Sequence, residues 1–316
     1  MKTITTPKTL LEAINYFTND KKCVEFLAKL RWADGKPHCP KCGSDNVCSL
    51  KTRPSYRCRE AGCKKSFSLK TGSIMEDSAL PITKWVPAIW FVANHKNGVS
   101  SCEVARALGI TQKSAWHLCH RIRKALSSGN FTKLTGTVEI DECFIGGKLQ
   151  FKHRSKLPPS SFIKRGKYGK TAVLGMVERE SGEFRGKVVD NVRRNVLEPE
   201  IIANVDTNAT VITDALSSYY KLKDIYSNHS SVDHSRGEYV NGSVHTNTME
   251  NFWSCFKRSI KGTYIQIASF HTDRYLGEQA FRYNNRKDND AQRFEKAVSN
   301  MFGKRLTYAE LTGVNS

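Results

Sequence analysis

Apolar and polar positions near the start of the chain alternate with the period of a helix. Asn19 and Asp20 interrupt this pattern, and polar residues of that kind favour turns and helix starts. Residues 1–36 are therefore predicted to form a helical segment with two short helices. The apolar positions that define them are Leu10, Leu11, Ile14, Phe17, Val24, Phe26, Leu27 and Leu30.

A second type of pattern begins near residue 137. Short runs rich in β-branched residues predict strands, and they are TVEID, TAVLGMVER, EFRGKVVD and ATVITD. Helical periodicity returns after residue 244, in HTNTMENFWSCFKRSI and later in DRYLGEQAFRYNNR. Residues 150–169 are rich in lysine, proline, serine and glycine, which predicts an exposed basic loop. The second half of the chain is thus predicted to be an α/β region.

The helical region 80–130 contains the order expected of a helix-turn-helix. Ser100 or Ser101 is a candidate N-cap, Gly109 permits a tight turn, and Thr111 can cap a second helix. In such a motif the second helix enters the major groove of DNA. A plain helical hairpin with charged outer faces is the alternative. Basic residues at the far end of the second helix are predicted DNA contacts: Arg121, Arg123 and Lys124.

Four cysteines within residues 37–72 have the spacing of a zinc ribbon. Cys39 and Cys42 form one pair, and Cys58 and Cys63 form a second pair further along the chain. Two such pairs can place four thiolates tetrahedrally around Zn²⁺, with backbone N–H groups of the turns directed at sulfur. Four buried thiols without a metal are the alternative. A module of this kind can bind DNA, bind protein or brace its neighbour.

Acidic residues at three places in the second half indicate a catalytic metal site. Asp141 lies near the centre of a predicted strand, Asp214 ends another strand, and Glu250 lies on a predicted helix. A carboxylate inside a sheet is costly unless it has a cation. Lys257 and Lys261 follow Glu250 by seven and eleven residues, which places them on its helix face. Such acids can hold two Mg²⁺ ions for phosphoryl transfer, and a lysine beside them can bind a DNA phosphate.

The charge of the chain adds a polyanionic partner to this picture. The 316 residues include 50 lysines and arginines against 30 acidic residues, a formal net charge of +20. Counterion release favours nucleic acid as the partner, and a solvated basic surface without a partner is the alternative. No apolar run approaches the roughly 20 residues of a membrane span, and the N-terminus does not resemble a secretory signal. With its ten cysteines, the chain is predicted to be cytoplasmic, as in a bacterial-type cytosol, and without a membrane partner.

Four runs carry a resemblance to a known family: VEIDECFIGGK, VITDA, VHTNTMENFWSCFKRSIKGTY and RYLGEQAFRYNNR. They resemble the DDE-type insertion-sequence transposases with an N-terminal zinc ribbon, the ISXO-like group. The likeness covers most of the chain, including YRCREAGCKKSFSLKTGSIMEDS. It implies an RNase H-like catalytic domain with a mixed sheet over residues 135–290, and a C-terminal tail over 291–316. The catalytic residues that it implies are Asp141, Asp214, Glu250 and Lys257.

The resemblance also implies partners and cofactors. A transposase of this kind cleaves double-stranded DNA at the terminal inverted repeats of its element and transfers the strands into target DNA. Joining two ends calls for a homo-oligomer. Two Mg²⁺ ions, for which Mn²⁺ can substitute, serve the chemistry, and Zn²⁺ has a structural role. Arg258 and Lys261 are predicted to contact DNA.

The third metal ligand has competitors in the sequence. Some members of the group use asparagine there, and Asn247 and Asn251 flank Glu250. Glu250 is favoured because a neutral amide contributes no charge. His245 either contacts the scissile phosphate or caps the helix. Two other functions are alternatives: an RNase H-like host nuclease acting on branched DNA, and a non-catalytic zinc-ribbon regulator that binds DNA.

Overall fold

The computed structural model divides the chain into two compact units. The first unit takes its residues from both ends of the chain, before residue 129 and from residue 285 on, and the second unit lies between them. No helix among the described residues is long and apolar enough to cross a membrane. The described residues are 6–50, 54–127, 132–147, 169–232 and 244–313. The predicted basic loop, 150–169, lies almost entirely outside them.

The first unit begins with two helices, α1 (Leu10–Phe17) and α2 (Asp20–Arg31). They are separated where the sequence predicts. The Asn19 side chain accepts a hydrogen bond from the Lys22 backbone N–H and so caps α2. The predicted pair of short helices is confirmed.

A small antiparallel sheet of three strands follows the two helices. Arg31 at the end of α2 holds the segment after this sheet, because its guanidinium donates to the carbonyl oxygens of Leu69 and Thr71 at 2.7 and 2.6 Å. Trp32 packs edge-to-face on Tyr56, with ring centroids 5.6 Å apart. These contacts attach the sheet to α2. The strands are β1 (Val47–Ser49), β2 (Tyr56–Cys58) and β3 (Ser66–Phe67).

The next three helices are α3 (Ile82–Asn94), α4 (Ser101–Leu108) and α5 (Gln112–Leu126). Ser100 caps α4 and Thr111 caps α5, each by accepting a hydrogen bond from a backbone N–H three residues on. Gly109 ends α4 in the left-handed region at φ 61° and ψ 46°, where a side chain is strained. The structure therefore has the predicted order of helix, glycine turn and capped helix.

The second unit contains a mixed five-stranded sheet in the order β6-β5-β4-β7-β8. The first three strands in sequence are antiparallel neighbours, and β7 and β8 run parallel to β4. The predicted fold class, an α/β domain with a mixed RNase H-like sheet, is confirmed. The strands are β4 (Thr137–Ile145), β5 (Thr171–Glu178), β6 (Phe184–Val189), β7 (Thr210–Asp214) and β8 (His229–Val232).

Helices cover both faces of this sheet. The alternation along β4 puts Val138 and Ile140 in one core cluster and Cys143 and Ile145 in another. The first cluster includes α6 (Arg194–Asn204) and a 3₁₀ helix, Ser217–Asp224. The second includes α7 (Asn247–Ser259), a π-helical turn, Ile260–Tyr264, and α8 (Thr272–Asn284). Asp141, the acid predicted on β4, therefore lies between two apolar layers.

The end of the chain returns to the first unit. Residues 291–316, predicted as a C-terminal tail, include most of α9 (Asp290–Ser299) and all of α10 (Tyr308–Thr312). Phe294 of α9 is fully buried and stacks on Phe26 of α2, with ring centroids 5.7 Å apart. The last helices thus complete the core around the N-terminal ones.

Candidate metal centres

The four cysteines of the ribbon converge on one point. Their sulfur atoms form a group that can hold one metal ion. The Sγ atoms of Cys39 and Cys63 lie 3.7 Å apart, and those of Cys42 and Cys58 lie 3.6 Å apart. Zn–S bonds of about 2.3 Å in a tetrahedron separate neighbouring sulfur atoms by roughly 3.8 Å. The donor set and its spacing fit structural zinc.

The local backbone prepares Cys39 for a cation. Burial raises the pKa of the Cys39 thiol, but hydrogen bonds from the backbone N–H groups of Cys42 and Lys41 outweigh this and lower it to about 7. The thiolate is the form that binds a metal. The predicted turn around the first pair therefore favours the ligating form of Cys39.

The second metal centre forms where two parallel strands lie side by side. The register pairs Ile140 of β4 with Thr213 of β7, so the following residues, Asp141 and Asp214, are neighbours. Carboxylate oxygens of Asp141, Glu142 and Asp214 all lie within 4.8 Å of one another. Oxygen ligands at such a spacing suit a hard divalent cation. The structure thus brings together two of the three predicted acids.

Glu142 belongs to this group, although the sequence pattern does not predict it as a ligand. The Tyr219 hydroxyl, on the 3₁₀ helix after β7, donates to a Glu142 carboxylate oxygen at 2.9 Å. Burial and the charge of Glu142 raise the pKa of Tyr219 well above its usual value, so the hydroxyl keeps its proton. The available sequence signal is the consecutive Asp-Glu pair in the middle of a strand.

Electrostatics at Asp141 indicate a site that lacks positive charge. Burial and the neighbouring Asp214 raise the pKa of the Asp141 carboxyl to about 6. The Glu142 backbone N–H, the Trp253 indole and Lys257 oppose this rise, but they do not cancel it. Two carboxylates that cannot both ionise easily are a common arrangement where a cation binds.

Helix α7 lies along β4 in matched steps, in which every fourth helix residue lies beside every second strand residue. The Met249 N–H donates to Glu139 at 2.9 Å, and the Trp253 indole donates to Asp141 at 3.0 Å. Lys257 follows at Cys143: burial raises the pKa of this thiol to about 11, and the nearby positive charge of the lysine opposes the rise. Two strand residues advance about 6.7 Å and four helix residues about 6 Å, so the contacts stay in register.

A glycine allows this close approach. Gly175 of β5 is the register partner of Asp141. A Cβ atom there would lie 2.6 Å from the Met249 Cε atom and 2.6 Å from the Trp253 Cζ2 atom, distances that real contacts do not allow. The bare backbone at this position therefore lets α7 pack directly beside Asp141.

The predicted third acid occupies a different position from the first two. Glu250 is exposed in the first turn of α7, and it is not part of the three-carboxylate group. Its competitors Asn247 and Asn251 are also exposed. His245 does not cap the helix through its side chain; its Nδ1 lies 3.0 Å from an Arg179 nitrogen.

The predicted DNA contacts separate into two classes. Arg121 is 6% exposed and Arg123 is 2% exposed, so the expectation that they lie on a DNA-binding surface is corrected. The Arg121 guanidinium donates to carbonyl oxygens of the first unit, including Leu306 at 2.9 Å, and thereby stabilises that unit. The exposed members of the predicted set are Lys124, Arg258 and Lys261.

Lys257 and Lys261 also differ in setting. Both are exposed, but Lys257 belongs to α7 whereas Lys261 lies in the π-helical turn after it. The predicted common helix face of Glu250, Lys257 and Lys261 assumes an uninterrupted α-helix. That assumption holds from Glu250 to Lys257 and ends before Lys261.

Comparisons with known proteins give two matches that cover both metal centres. Residues 133–284 match the model of the ISXO2-like transposase domain, and residues 18–66 match the model of the transposase zinc-ribbon domain. A Halobacterium salinarum protein, "Uncharacterized protein in transposable element ISH50", is 28% identical over 257 residues. That alignment covers 78% of this chain and 84% of the relative.

Proposed function

The chain belongs to the transposases that join a zinc ribbon to an ISXO2-like transposase domain, and we propose that it cleaves and joins DNA with divalent cations. Asp141 and Asp214 hold the cations in this proposal. The observation that carries it is the adjacency of these two acids on parallel strands, with the Asp141 pKa raised to about 6 by burial and by Asp214. A cation there relieves the repulsion between the two carboxylates.

The oxygen donors of this acid site suit a hard divalent cation, and we propose two Mg²⁺ ions, for which Mn²⁺ can substitute. Such ions supply an activated water or 3′-hydroxyl nucleophile and stabilise the leaving oxygen of the phosphodiester. In this proposal Asp141 and Asp214 would hold the ions, and Glu250 would be the third acid, from α7. Glu142 offers a further oxygen from the opposite face of β4, where Tyr219 orients it.

The proposed role of Lys257 is to bind a DNA phosphate beside the acids. It is exposed on α7, and its charge reaches both Asp141 and Cys143. Arg258 and Lys261 are exposed next to it and extend the positive surface. A basic surface that continues from the acids binds the backbone of DNA and orients the strand for in-line attack.

The first unit supplies the proposed DNA readers. The beginning of α5 is exposed at Gln112 and Lys113, whereas the middle of that helix is buried. In helix-turn-helix proteins the first residues of the second helix contact base edges. We therefore assign terminal-repeat recognition to this end of α5, with Lys124 as a backbone contact. Pairing two DNA ends requires a homo-oligomer.

An assay with DNA that carries the sequences flanking the gene tests the proposal. Asp141→Asn is expected to reduce cleavage and strand joining in Mg²⁺ or Mn²⁺ on the order of a thousandfold, because several kcal/mol of charge stabilisation are lost. Binding to the end sequence should persist. Asp190→Asn is the matched control, since Asp190 is exposed after β6, two strands away from β4.

Each alternative function has its own outcome in this assay. Full cleavage by the Asp141→Asn variant contradicts the proposed metal site. Metal-dependent cleavage of branched DNA without preference for the flanking sequences favours a host nuclease. Specific binding without cleavage by the unaltered chain favours a regulator.

A further inference from the structure

A carboxylate two residues before Asp141 is completely enclosed. Glu139 has no exposed surface, and its side chain accepts hydrogen bonds from three groups. The Arg179 Nε donates at 2.6 Å, the Thr248 hydroxyl at 2.9 Å and the Met249 backbone N–H at 2.9 Å. A buried charge needs such partners, and this one has them on two elements outside its own strand.

One of these bonds caps helix α7 from outside, and a second holds a side chain of its first turn. Thr246 occupies the N-cap position, but its side chain makes no capping hydrogen bond. Glu139 takes over that role, because one of its oxygens accepts from the backbone N–H of Met249, the third residue of the helix. Its other oxygen accepts from the hydroxyl of Thr248, the second residue. A carboxylate at a helix N-terminus satisfies open N–H groups and also interacts favourably with the helix dipole.

Arg179 extends the cap to the segment that enters α7. It directly follows β5, and its guanidinium donates to the His245 carbonyl oxygen at 2.7 Å as well as to Glu139. The His245 Nδ1 lies 3.0 Å from the same guanidinium. One ion pair therefore joins β4, the end of β5 and the start of α7.

This junction determines how α7 lies along the strand. The Glu139–Met249 contact is the first of the three matched steps, and Trp253 and Lys257 follow it at Asp141 and Cys143. A slip of one residue rotates the helix by about 100° and would remove both side chains from their partners.

From this geometry we infer that Glu139 is a positioning residue of the acid site. Together with Arg179 it holds α7 so that Trp253 and Lys257 contact β4 and the turn bearing Glu250 stays beside it. Glu139 itself does not touch the metal or the DNA. This inference rests on the proposed metal site at Asp141 and Asp214.

Mn²⁺ binding to the full, zinc-loaded chain tests the inference without relying on activity. Free Mn²⁺ is followed by electron paramagnetic resonance in the absence of DNA. Glu139→Gln is expected to raise the Mn²⁺ dissociation constant about tenfold, as the loss of an outer-sphere partner commonly does. An unchanged dissociation constant overturns the inference.

A matched control separates positioning from stability. Glu278 is also fully buried in the second unit, and its carboxylate is paired with Arg282 and Tyr264 rather than with the start of α7. Glu278→Gln should lower the melting temperature as Glu139→Gln does, yet leave Mn²⁺ affinity within about twofold. Equal losses of affinity in both variants would mean that Glu139 acts only through general stability.

Two more variants complete the test. If Glu139→Gln does not fold, Thr248→Val removes a single hydroxyl from the cap, and an unchanged Mn²⁺ affinity in that variant overturns the inference. Asp141→Asn reports on the metal site itself. If it binds Mn²⁺ like the unaltered chain, the proposed site fails. If Asp141→Asn loses Mn²⁺ affinity while Glu139→Gln and Thr248→Val bind Mn²⁺ like the unaltered chain, the metal site is supported and the positioning role of Glu139 is contradicted.

Discussion

The two metal centres of this chain are built in opposite ways. The ribbon takes its four cysteines from residues 39 to 63, and the described part of the region from Cys39 to Phe67 contains three small strands. Asp141 and Asp214 are 73 residues apart and meet because β4 and β7 pair in parallel. In the first case ligands that are close in sequence meet through local turns. In the second a complete sheet holds the ligands in place.

This difference separates what each cation contributes. A ribbon of this size has too little apolar surface to fold alone, so metal binding supplies folding free energy. The acid site lies between two clusters of buried apolar side chains, and the carboxylates are not part of either cluster. The free-energy cost of this site comes from burying the Asp141 carboxylate beside Asp214, as the raised pKa of Asp141 indicates. Loss of a cysteine should therefore damage the fold, whereas loss of an acid should damage only the chemistry.

The largest expected effect follows from removing one thiolate. Cys58→Ser takes a buried ligand from a site whose zinc contributes on the order of 10 kcal/mol to folding, so the ribbon should lose zinc and unfold. Zinc content and amide hydrogen exchange over residues 39–67 measure this. Asp141→Asn, by contrast, should keep the melting temperature of the unaltered chain or exceed it.

Cys48→Ser is the matched control for that experiment. Cys48 lies on β1 of the same sheet, half-buried, but it is not part of the four-thiolate group. It should retain full zinc content. Zinc loss without any change in hydrogen exchange would contradict the contrast between the two centres, because the ribbon would then fold without its metal.

The same contrast explains how far the sequence could be interpreted. Cysteine spacing is local, so all four ribbon ligands could be predicted from their spacing. Asp141 and Asp214 follow from the strand pattern and the family resemblance, since each lies at a recognisable place in a strand. Glu139 and Glu142 could not be assigned, because their roles depend on contacts with Met249 and Tyr219, more than 70 residues away.

Arg121 is a residue that the sequence pattern assigns to a DNA-binding surface and the structure places in the interior. Its basic neighbours suggest an exposed helix end, and a pattern of charges contains no information on burial. Its partners are backbone carbonyls of Ile74 and Leu306, far apart in sequence. Carbonyl groups have no sequence signature, so an arginine that satisfies them cannot be distinguished from one that binds DNA.

A smaller effect is expected when a methyl group is added beside the acid site and no carboxylate is removed. Gly175→Ala places a methyl group against Met249 and Trp253, which pushes α7 away from Asp141. Overpacking of this kind costs about 1–3 kcal/mol. The melting temperature and the affinity for Mn²⁺ should both fall, although no ligand is altered.

Gly262→Ala is the control for the crowding experiment, since a Cβ there meets nothing within 4 Å. It should change neither quantity. A lower melting temperature with unchanged Mn²⁺ affinity would mean that the packing of α7 against the sheet does not fix the positions of the acids. That result would contradict the contrast between the two metal centres.

The last expected effect is a pH dependence of stability in the second unit. The folded-state pKa of Asp141 is about 6, above the value of about 3.9 for an unfolded aspartate. Between these values the folded chain keeps a proton that the unfolded chain has lost, so this group destabilises the fold as pH rises from about 4 to about 6. Glu178 and Glu180 have lowered pKa values and act in the opposite direction.

The contribution of Asp141 therefore has to be measured as a difference. Thermal unfolding of the unaltered chain and of Asp141→Asn, both zinc-loaded and without other divalent cations, should coincide near pH 4. The variant should become the more stable of the two as pH rises through 6. Added Mg²⁺ should reduce that gap, because the cation replaces the proton at the carboxylate. A gap that is independent of pH would mean that Asp141 is stabilised as a carboxylate by the protein alone, and the two metal centres would then differ less than their construction indicates.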